Sequence, residues 1–212
     1  MYIAIEGVIG VGKTTLARML QPIYDANILL EIFEENPFLS DFYGDRDRYA
    51  FQTQVFFLLS RYHQQRNGVK DMLKTKPDLI SDYTFAKDSL FARVTLNGDE
   101  LDTYYQVHQA LAEKITVPDL IVYLRADTEV LMKRITARDR SYERQMESAY
   151  IQLLNQAYDD FFLTPDAAPA PVLTIETSHM DYVRNEDDFK AIDDRIRQTL
   201  KLSPYQQSLL ID

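Results

Sequence analysis

The chain has 212 residues, enough for one domain with a full hydrophobic core, and we find no shift in composition that marks a second one. Its 33 acidic and 23 basic residues give a net charge of −10 at pH 7. This charge argues against a nucleic-acid-binding surface, and a phosphorylated ligand would need a local basic pocket. Cysteine is absent, which excludes disulfides, thiolate catalysis and cysteine-bound metals.

The N-terminal residues enter an apolar segment directly, without the basic and apolar regions of a signal peptide. The longest strongly apolar run, residues 55–59, is far too short to span a bilayer. We therefore expect a cytoplasmic protein that binds a small molecule, with no membrane or nucleic-acid partner.

Residues 7–14 read GVIGVGKT, and they lie between an apolar segment at residues 2–6 and a helix-compatible run at residues 15–20. In a phosphate-binding loop of this pattern, the glycines let backbone N–H groups point inward. Lys13 supplies a point charge for the outer phosphates, and Thr14 supplies a hydroxyl ligand for Mg²⁺. The motif predicts a nucleoside triphosphate site formed by these residues: Gly7, Gly10, Gly12, Lys13, Thr14 and Thr15.

Further apolar, strand-like runs follow, separated by stretches with helical spacing. They cover residues 27–30, 78–81, 119–124 and 171–175. This alternation predicts an α/β fold in which a five-stranded parallel sheet is flanked by helices within one domain, residues 1–212. In such sheets ligands bind at the carboxyl ends of the strands, so functional residues should directly follow each run.

A long helix is expected over about residues 45–74, and its apolar residues outnumber one buried stripe. It therefore packs either against a neighbouring helix or against a second subunit, and we expect a homodimer. Another helix should cover residues 100–116 and be ended by Pro118. Residues 165–171 form a proline-rich connector to the last strand.

The densest basic stretch of the chain is residues 133–144. Arg134 and Arg138 are four residues apart on a helix expected to start near Thr128, so they share a face, and Arg140 lies just beyond. This arrangement suits a short arginine-rich lid, about residues 134–145, that closes on phosphates and excludes water. The alternative is a solvated charged face.

Two acids follow predicted strands. Glu31 could accept the proton of an attacking hydroxyl, although Glu34 and Glu35 are near enough to leave the identity of the base open. Asp82 stands where phosphate-loop enzymes place an acid that holds Mg²⁺, together with Thr14. Either acid could instead be a helix cap or a surface group. The three histidines are scattered and are read as structural: His63, His108 and His179.

In order and spacing, these residues resemble the deoxynucleoside kinases, most closely the bacterial deoxyguanosine and deoxyadenosine kinases. The pieces that carry the resemblance are residues 4–14, 31–43, 51–52, 61–62, 81–84, 90–96 and 138–143, within about residues 2–163. The resemblance implies a P-loop kinase that uses ATP and Mg²⁺ to phosphorylate the 5′-hydroxyl of a deoxynucleoside for nucleotide salvage.

The resemblance also implies roles for single residues. Glu31 would take the proton of the 5′-hydroxyl, with Arg140 beside that hydroxyl and Lys13 on the transferred phosphate. Tyr43 and Glu143 would hold the sugar 3′-hydroxyl, and Tyr43 would crowd out a 2′-hydroxyl.

The remaining roles concern the base and the donor. Gln52 matches the glutamine that binds the base, with Arg61 and Asp88 as further candidates for the substrate pocket. Asp82 is also counted among the substrate-binding residues. Arg134 and Arg138 match lid arginines that grip the donor phosphates.

The chain departs from the family at one position. Many members have an acid-Arg-Ser motif where this chain has Asp82, Tyr83 and Thr84, which leaves open the group that neutralises charge beside the 5′-hydroxyl. The Asp-Tyr pair resembles the bacterial deoxyguanosine kinases, and this resemblance favours deoxyguanosine over deoxyadenosine and deoxycytidine. The rival functions are a nucleoside monophosphate kinase and a nucleotide-dependent switch, although the chain lacks the Asn-Lys-x-Asp motif of GTP-binding switches.

Overall fold

The structure, a computed structural model, describes residues 1–32, 35–165 and 167–203. Within these residues, the strands form one parallel sheet, as the sequence predicts. They are β1 (Tyr2–Glu6), β2 (Asn27–Leu29), β3 (Leu79–Ser81), β4 (Leu120–Arg125) and β5 (Val172–Glu176). The helices are α1 (Lys13–Ile23), α2 (Leu39–Gly44), α3 (Arg46–Thr75), α4 (Lys87–Thr95), α5 (Gly98–Ala112), α6 (Thr128–Arg138), α7 (Ser148–Phe162) and α8 (Glu186–Thr199). A 3₁₀ turn covers Ser141–Glu143.

The strand order is β2-β3-β1-β4-β5, and every neighbouring pair is parallel. β1 lies at the centre and is buried along its whole length, as expected for a strand covered by helices on both faces. The loops after β1, β2 and β3 leave the sheet at the same edge, which brings residues 7–14, Glu31 and Asp82 together. The α/β fold class predicted from the sequence is therefore confirmed.

The predicted helix at residues 100–116 is displaced in the structure, where α5 runs from Gly98 to Ala112. Lys114 and Ile115 instead donate to the carbonyls three residues before them, at 3.1 Å each, so the chain leaves the helix through a tight turn. A residue before proline avoids helical backbone angles, which is why the helix cannot continue to Pro118. No helix in the described ranges is both long and apolar enough to cross a membrane.

The long helix α3 packs within the chain against α2, α4 and α5. This packing accounts for much of the apolar excess that the sequence shows on this helix. Leu59 nevertheless remains 42% exposed on the outer face. The buried face carries polar residues as well as apolar ones, and two of them, Gln54 and Arg61, lie seven residues apart. Two helical turns bring such residues onto the same face, directed toward the sheet edge.

Candidate active site

The phosphate-binding loop joins β1 to α1. Gly7 and Gly12 have φ values of 145° and 107°, in the region that favours glycine. A Cβ atom at Gly7 would lie 2.3 Å from the backbone oxygen of Leu124, so a larger residue cannot fit there. The ammonium of Lys13 donates to the carbonyl oxygens of Gly7 at 2.7 Å and Val8 at 3.2 Å. The lysine is thus held across the mouth of the loop.

Burial is the main reason that the pKa of Lys13 falls to about 8. The positive charge of Lys87 lowers this pKa further, while three acids, Glu6, Glu31 and Asp82, oppose the shift. A bound phosphate would add negative charge at this ammonium and favour its protonated form.

Asp82 links the loop to the second strand. Its Oδ2 accepts a hydrogen bond from the Thr14 hydroxyl at 2.5 Å, and its Oδ1 accepts one from the backbone N–H of Glu31 at 2.8 Å. A hydroxyl and a carboxylate in contact are the hard oxygen ligands that Mg²⁺ prefers. Among the described residues, no group of three or more His, Asp or Glu side chains could hold a metal ion. A cation at this pair would take its other ligands from phosphate and water.

Four charged side chains, which we name the Glu31 cluster, lie at the opposite wall: Glu31, which is 12% exposed, and the buried Arg61, Lys87 and Asp88. Arg61 donates to Glu31 Oε1 from Nε at 3.0 Å and from a second guanidinium nitrogen, and it also pairs with Asp88. Lys87 donates to Glu31 Oε2 at 2.5 Å. Both oxygens of the Glu31 carboxylate are therefore held by cations.

Burial by itself raises the pKa of Glu31, since a charged carboxylate loses its hydration. The charges of Arg61 and Lys87, together with the hydrogen bonds that they donate, outweigh burial and hold this pKa well below its usual range. Glu31 is thus an ionised carboxylate at neutral pH, able to accept a hydrogen bond from a hydroxyl.

The lid segment, residues 134–145, folds over this cavity from the other side. Arg138 donates to Glu143 Oε2 from Nε at 2.9 Å and to its Oε1 at 2.6 Å, and Arg140 lies 3.8 Å from the same carboxylate. Tyr43 stacks on Tyr142 with ring centroids 6.3 Å apart. Burial, and then the neighbouring Tyr150 and Glu143, raise the pKa of Tyr43 well above its usual value, so its hydroxyl stays protonated.

A second cavity adjoins the first behind the phosphate-binding loop. Arg134 bonds the carbonyl of Thr177 at 2.8 Å and those of Val11 and Met180 at 3.3 Å, and it lines this cavity with Arg138. Its guanidinium is anchored to backbone rather than carried on the outer part of the lid. Tyr182 lines the same cavity and donates toward the carbonyl of Gly12 at 3.1 Å. The segment after β5 therefore belongs to the site, although sequence reasoning assigned it no role.

The structure brings most of the predicted site residues to these two adjoining cavities. The first is lined by Gly10, Lys13, Thr14, Glu31, Tyr43, Arg61, Asp82, Arg138, Arg140 and Glu143. The second is lined by Gly10, Gly12, Thr15, Arg134 and Arg138. Asp88 joins through Arg61, and Gly7 forms the start of the loop. Of the alternative bases, Glu35 is exposed and lines neither cavity, and Glu34 lies outside the described residues.

Gln52 is a correction to the sequence prediction. Its side chain is exposed, and it lines neither cavity, because it lies on the outer side of α3. Gln54 is 2% exposed and lies one turn before Phe57, which lines the first cavity. Its Oε1 has no partner among the described residues. The seven-residue spacing from Gln54 to Arg61 was the signal that could have found it.

Sequence reasoning also missed two charged residues. Lys87 lines the first cavity beside Glu31. Glu6, fully buried at the end of β1, accepts hydrogen bonds from the backbone N–H groups of Gly7 at 3.2 Å and Thr84 at 2.5 Å. Burial raises the pKa of Glu6, and the positive charges of Lys87 and Lys13 oppose that shift. Glu6 ties the loop after β1 to the loop after β3.

A phosphate-binding loop, an ionised carboxylate and an arginine-bearing lid at one edge of a parallel sheet define a phosphotransferase of the P-loop kinase class. Comparison with known protein families narrows this class. The family model for deoxynucleoside kinase matches residues 3–201. The chain belongs to the deoxynucleoside kinase family, and the match extends about forty residues beyond the 2–163 range seen in the sequence.

Individual relatives agree with this assignment. The chain is 34% identical to a deoxyguanosine kinase from Bacillus subtilis, over 94% of this chain and 97% of that one. It is also 34% identical to a deoxyadenosine kinase from Dictyostelium discoideum, over 84% of this chain and 72% of that one. A solved deoxyadenosine kinase from M. mycoides, with dCMP and dCDP bound, superimposes with a TM-score of 0.79 at 25% identity, covering 94% of this chain and 100% of that one. The protein is an enzyme that phosphorylates deoxynucleosides.

Proposed function

We propose that this enzyme transfers the γ-phosphoryl group of ATP to the 5′-hydroxyl of a purine deoxynucleoside, with deoxyguanosine preferred, and so supplies deoxynucleoside monophosphate for salvage. One observation carries the proposal: the Glu31 carboxylate lines the same cavity as Lys13 and Thr14 of the phosphate-binding loop. An acceptor hydroxyl held at Glu31 would face a phosphate held at Lys13.

In the proposed mechanism, Glu31 orients the 5′-hydroxyl and takes its proton as the phosphoryl group is transferred. Lys13, Arg138 and Arg140 balance the negative charge of that group, since all three line the cavity. Thr14 and Asp82 would hold Mg²⁺, which would neutralise part of the charge of the phosphates.

The sugar would lie between Glu31 and the lid. Tyr43 and Glu143 both line the cavity, and Glu143 is held by Arg138, so a hydroxyl donor and a carboxylate acceptor are available for the 3′-hydroxyl. The adjoining cavity behind the loop would take the donor nucleotide, with Arg134, Thr15 and the segment containing Tyr182 around it.

The base would lie against the wall formed by Phe57 and Phe91. Two buried acceptor atoms, each on a residue one helical turn before these phenylalanines, have no partner among the described residues: Gln54 Oε1 and Asp88 Oδ2. Buried acceptors favour a base edge that carries donors, because an unpaired buried polar atom costs free energy. Guanine offers both N1–H and a 2-amino group. The 34% identity to the B. subtilis deoxyguanosine kinase supports the same base.

A panel of acceptors with ATP and Mg²⁺ tests the substrate assignment, using coupled detection of ADP. The panel holds four deoxynucleosides, their ribose counterparts, deoxyinosine, and deoxyguanosine monophosphate. We expect deoxyguanosine to give the highest kcat/KM, with deoxyinosine about 10-fold to 100-fold lower because it lacks the 2-amino group. A higher kcat/KM for deoxyadenosine or deoxycytidine would overturn the base preference. Phosphorylation of the monophosphate alone would overturn the choice of acceptor.

The role of Glu31 is tested by Glu31→Gln, which keeps the shape of the side chain. We expect kcat to fall about 10²-fold or more, as for the loss of a general base, with ATP affinity nearly unchanged. Near-normal turnover would remove Glu31 from the mechanism. Glu35→Gln, at an exposed acid four residues away, is the matched control and should keep full turnover.

The proposal includes a homodimer in the cytoplasm, where ATP is available. Phe56 and Leu59 lie one turn apart on the outer side of α3, and Leu59 is 42% exposed, as an interface residue in a separated subunit would be. Light scattering after size-exclusion chromatography should give twice the chain mass, and Leu59→Glu should halve it. A monomer at micromolar concentration would contradict the dimer.

A further inference from the structure

Lys87 is a buried cation at the reaction centre. It begins α4, its side chain is 6% exposed, and it lines the cavity that also contains Lys13 and Thr14. Its Nζ lies 2.5 Å from Glu31 Oε2 and 5.5 Å from the centre of the Phe91 ring. A lysine is rarely buried to this degree unless it is paired.

The two cations of the Glu31 cluster differ in the carboxylates that they contact. Arg61 serves two carboxylates, since it bonds Glu31 Oε1 and also pairs with Asp88. Lys87 forms an ion pair with Glu31 alone among the described residues. With both lysine and arginine charged, the four side chains sum to zero, and removal of Lys87 would leave a net negative charge in a buried site.

Tyr83, the residue at the position of the family arginine, cannot pair with Glu31 or balance its charge. Its ring is fully buried against Tyr2 and Leu29, in a cluster separate from the main core, and its hydroxyl donates to Gln64 Oε1 at 2.5 Å. It supplies no charge and does not line the cavity. Lys87, four residues further along the chain, is the cation from this segment that reaches Glu31.

We propose that Lys87 is a positioning residue: it holds Glu31 Oε2 so that the carboxylate keeps one orientation toward the acceptor hydroxyl, and it balances the charge of the acid. This inference rests on the proposed function, in which Glu31 takes the proton of the 5′-hydroxyl. A carboxylate held by a single cation could rotate about its last bond, and small errors in orientation lower the rate of transfer steeply.

Lys87→Met and Lys87→Arg, each in the wild-type and Glu31→Gln backgrounds, test the proposal. We expect Lys87→Met to lower kcat about 10-fold to 100-fold, with the KM for ATP within about twofold, and Lys87→Arg to recover most of kcat. In the Glu31→Gln background, Lys87→Met should change kcat by less than about threefold, because the residue acts through Glu31. Lys74→Met, at an exposed lysine, is the control.

Three results would overturn the proposal: unchanged kcat in Lys87→Met, no recovery in Lys87→Arg, or an equal loss in both backgrounds. Lys87→Gln, which can still donate a hydrogen bond, covers the case in which the methionine variant does not fold. If neither variant keeps native near-ultraviolet circular dichroism, Lys87 is structural and the proposal is wrong. The proposed function fails by a different result, namely the absence of turnover by the wild-type enzyme with every deoxynucleoside.

Discussion

The Glu31 cluster and the lid segment face each other across one cavity, and both contain paired charges, but they differ in exposure. In the cluster, the side chains of Arg61, Lys87 and Asp88 are 6%, 6% and 0% exposed. In the lid segment, Glu143 is only 4% exposed, but its partner Arg138 is 32% exposed, and Arg144 and Asp139 are 63% exposed each. Buried charges must be fully balanced, whereas solvated ones are paired at little gain in stability. We therefore expect the cluster to hold a fixed geometry, and the arginines of the lid segment to exchange their partners for phosphate more readily.

Arg61→Met should have the largest effect on stability, because it removes a cation from the Glu31 cluster. Among the described residues, it leaves Asp88 without an ion-pair partner and Glu31 with Lys87 alone. We expect the free energy of unfolding to fall by about 3–5 kcal/mol, the range for a buried pair that loses one partner. Urea denaturation followed by circular dichroism measures it. Arg144→Met, which removes an exposed ion pair of the lid, should leave the unfolding midpoint nearly unchanged. Equal shifts in the two variants would remove the distinction between the regions.

Arg138→Met, in the lid segment, should have the opposite effect, namely a large loss of kcat with a smaller loss of stability. Arg138 lines both cavities and pairs with Glu143, so its loss should lower kcat about 10²-fold through weaker stabilisation of the transferred phosphoryl group. The urea midpoint should fall less than in Arg61→Met, because Arg138 is partly solvated and Arg140 still lies 3.8 Å from the buried Glu143 carboxylate. Arg144→Met should keep kcat within about twofold. A large loss of stability without a loss of kcat would make Arg138 a structural residue.

The sequence predicted the parts of the site that local pattern determines. The phosphate-binding loop is contiguous, and the parallel strands bring Glu31 and Asp82 to it by topology alone. Lys87 escaped prediction because its role depends on where α4 begins, and that start carries no capping side chain. The contacts of Tyr182 with the loop escaped because they join residues 170 positions apart. Long-range contacts of this kind have no signature in local periodicity.

The error at Gln52 has a simpler cause, namely helix phase. Two residues along a helix correspond to a rotation of about 200°, which is enough to move a side chain from the cavity to solvent. Gln54→Ala should raise the KM for the preferred deoxynucleoside about 10-fold with kcat within about threefold, as expected for a lost hydrogen bond to a bound base. Gln52→Ala is the matched control and should leave both constants unchanged. The reverse result would place the base on the outer side of α3.

Lys13 lies between the Glu31 cluster and the lid segment, and the smallest effect that we expect is on its protonation. Since burial and Lys87 lower its pKa to about 8, about half of the lysine is charged at pH 8 in the free enzyme. Bound phosphate restores the charged form, so binding of Mg²⁺ and ATP at pH 8 should take up about half a proton, and ATP affinity should fall as pH rises through 8. Calorimetry in two buffers of different ionisation enthalpy measures the uptake. Lys87→Met removes a neighbouring positive charge, which raises the pKa of Lys13 and should reduce the uptake. Equal proton uptake by the wild-type enzyme and Lys87→Met would mean that the charge of Lys87 does not affect Lys13. The Glu31 cluster and the phosphate-binding loop would then act independently.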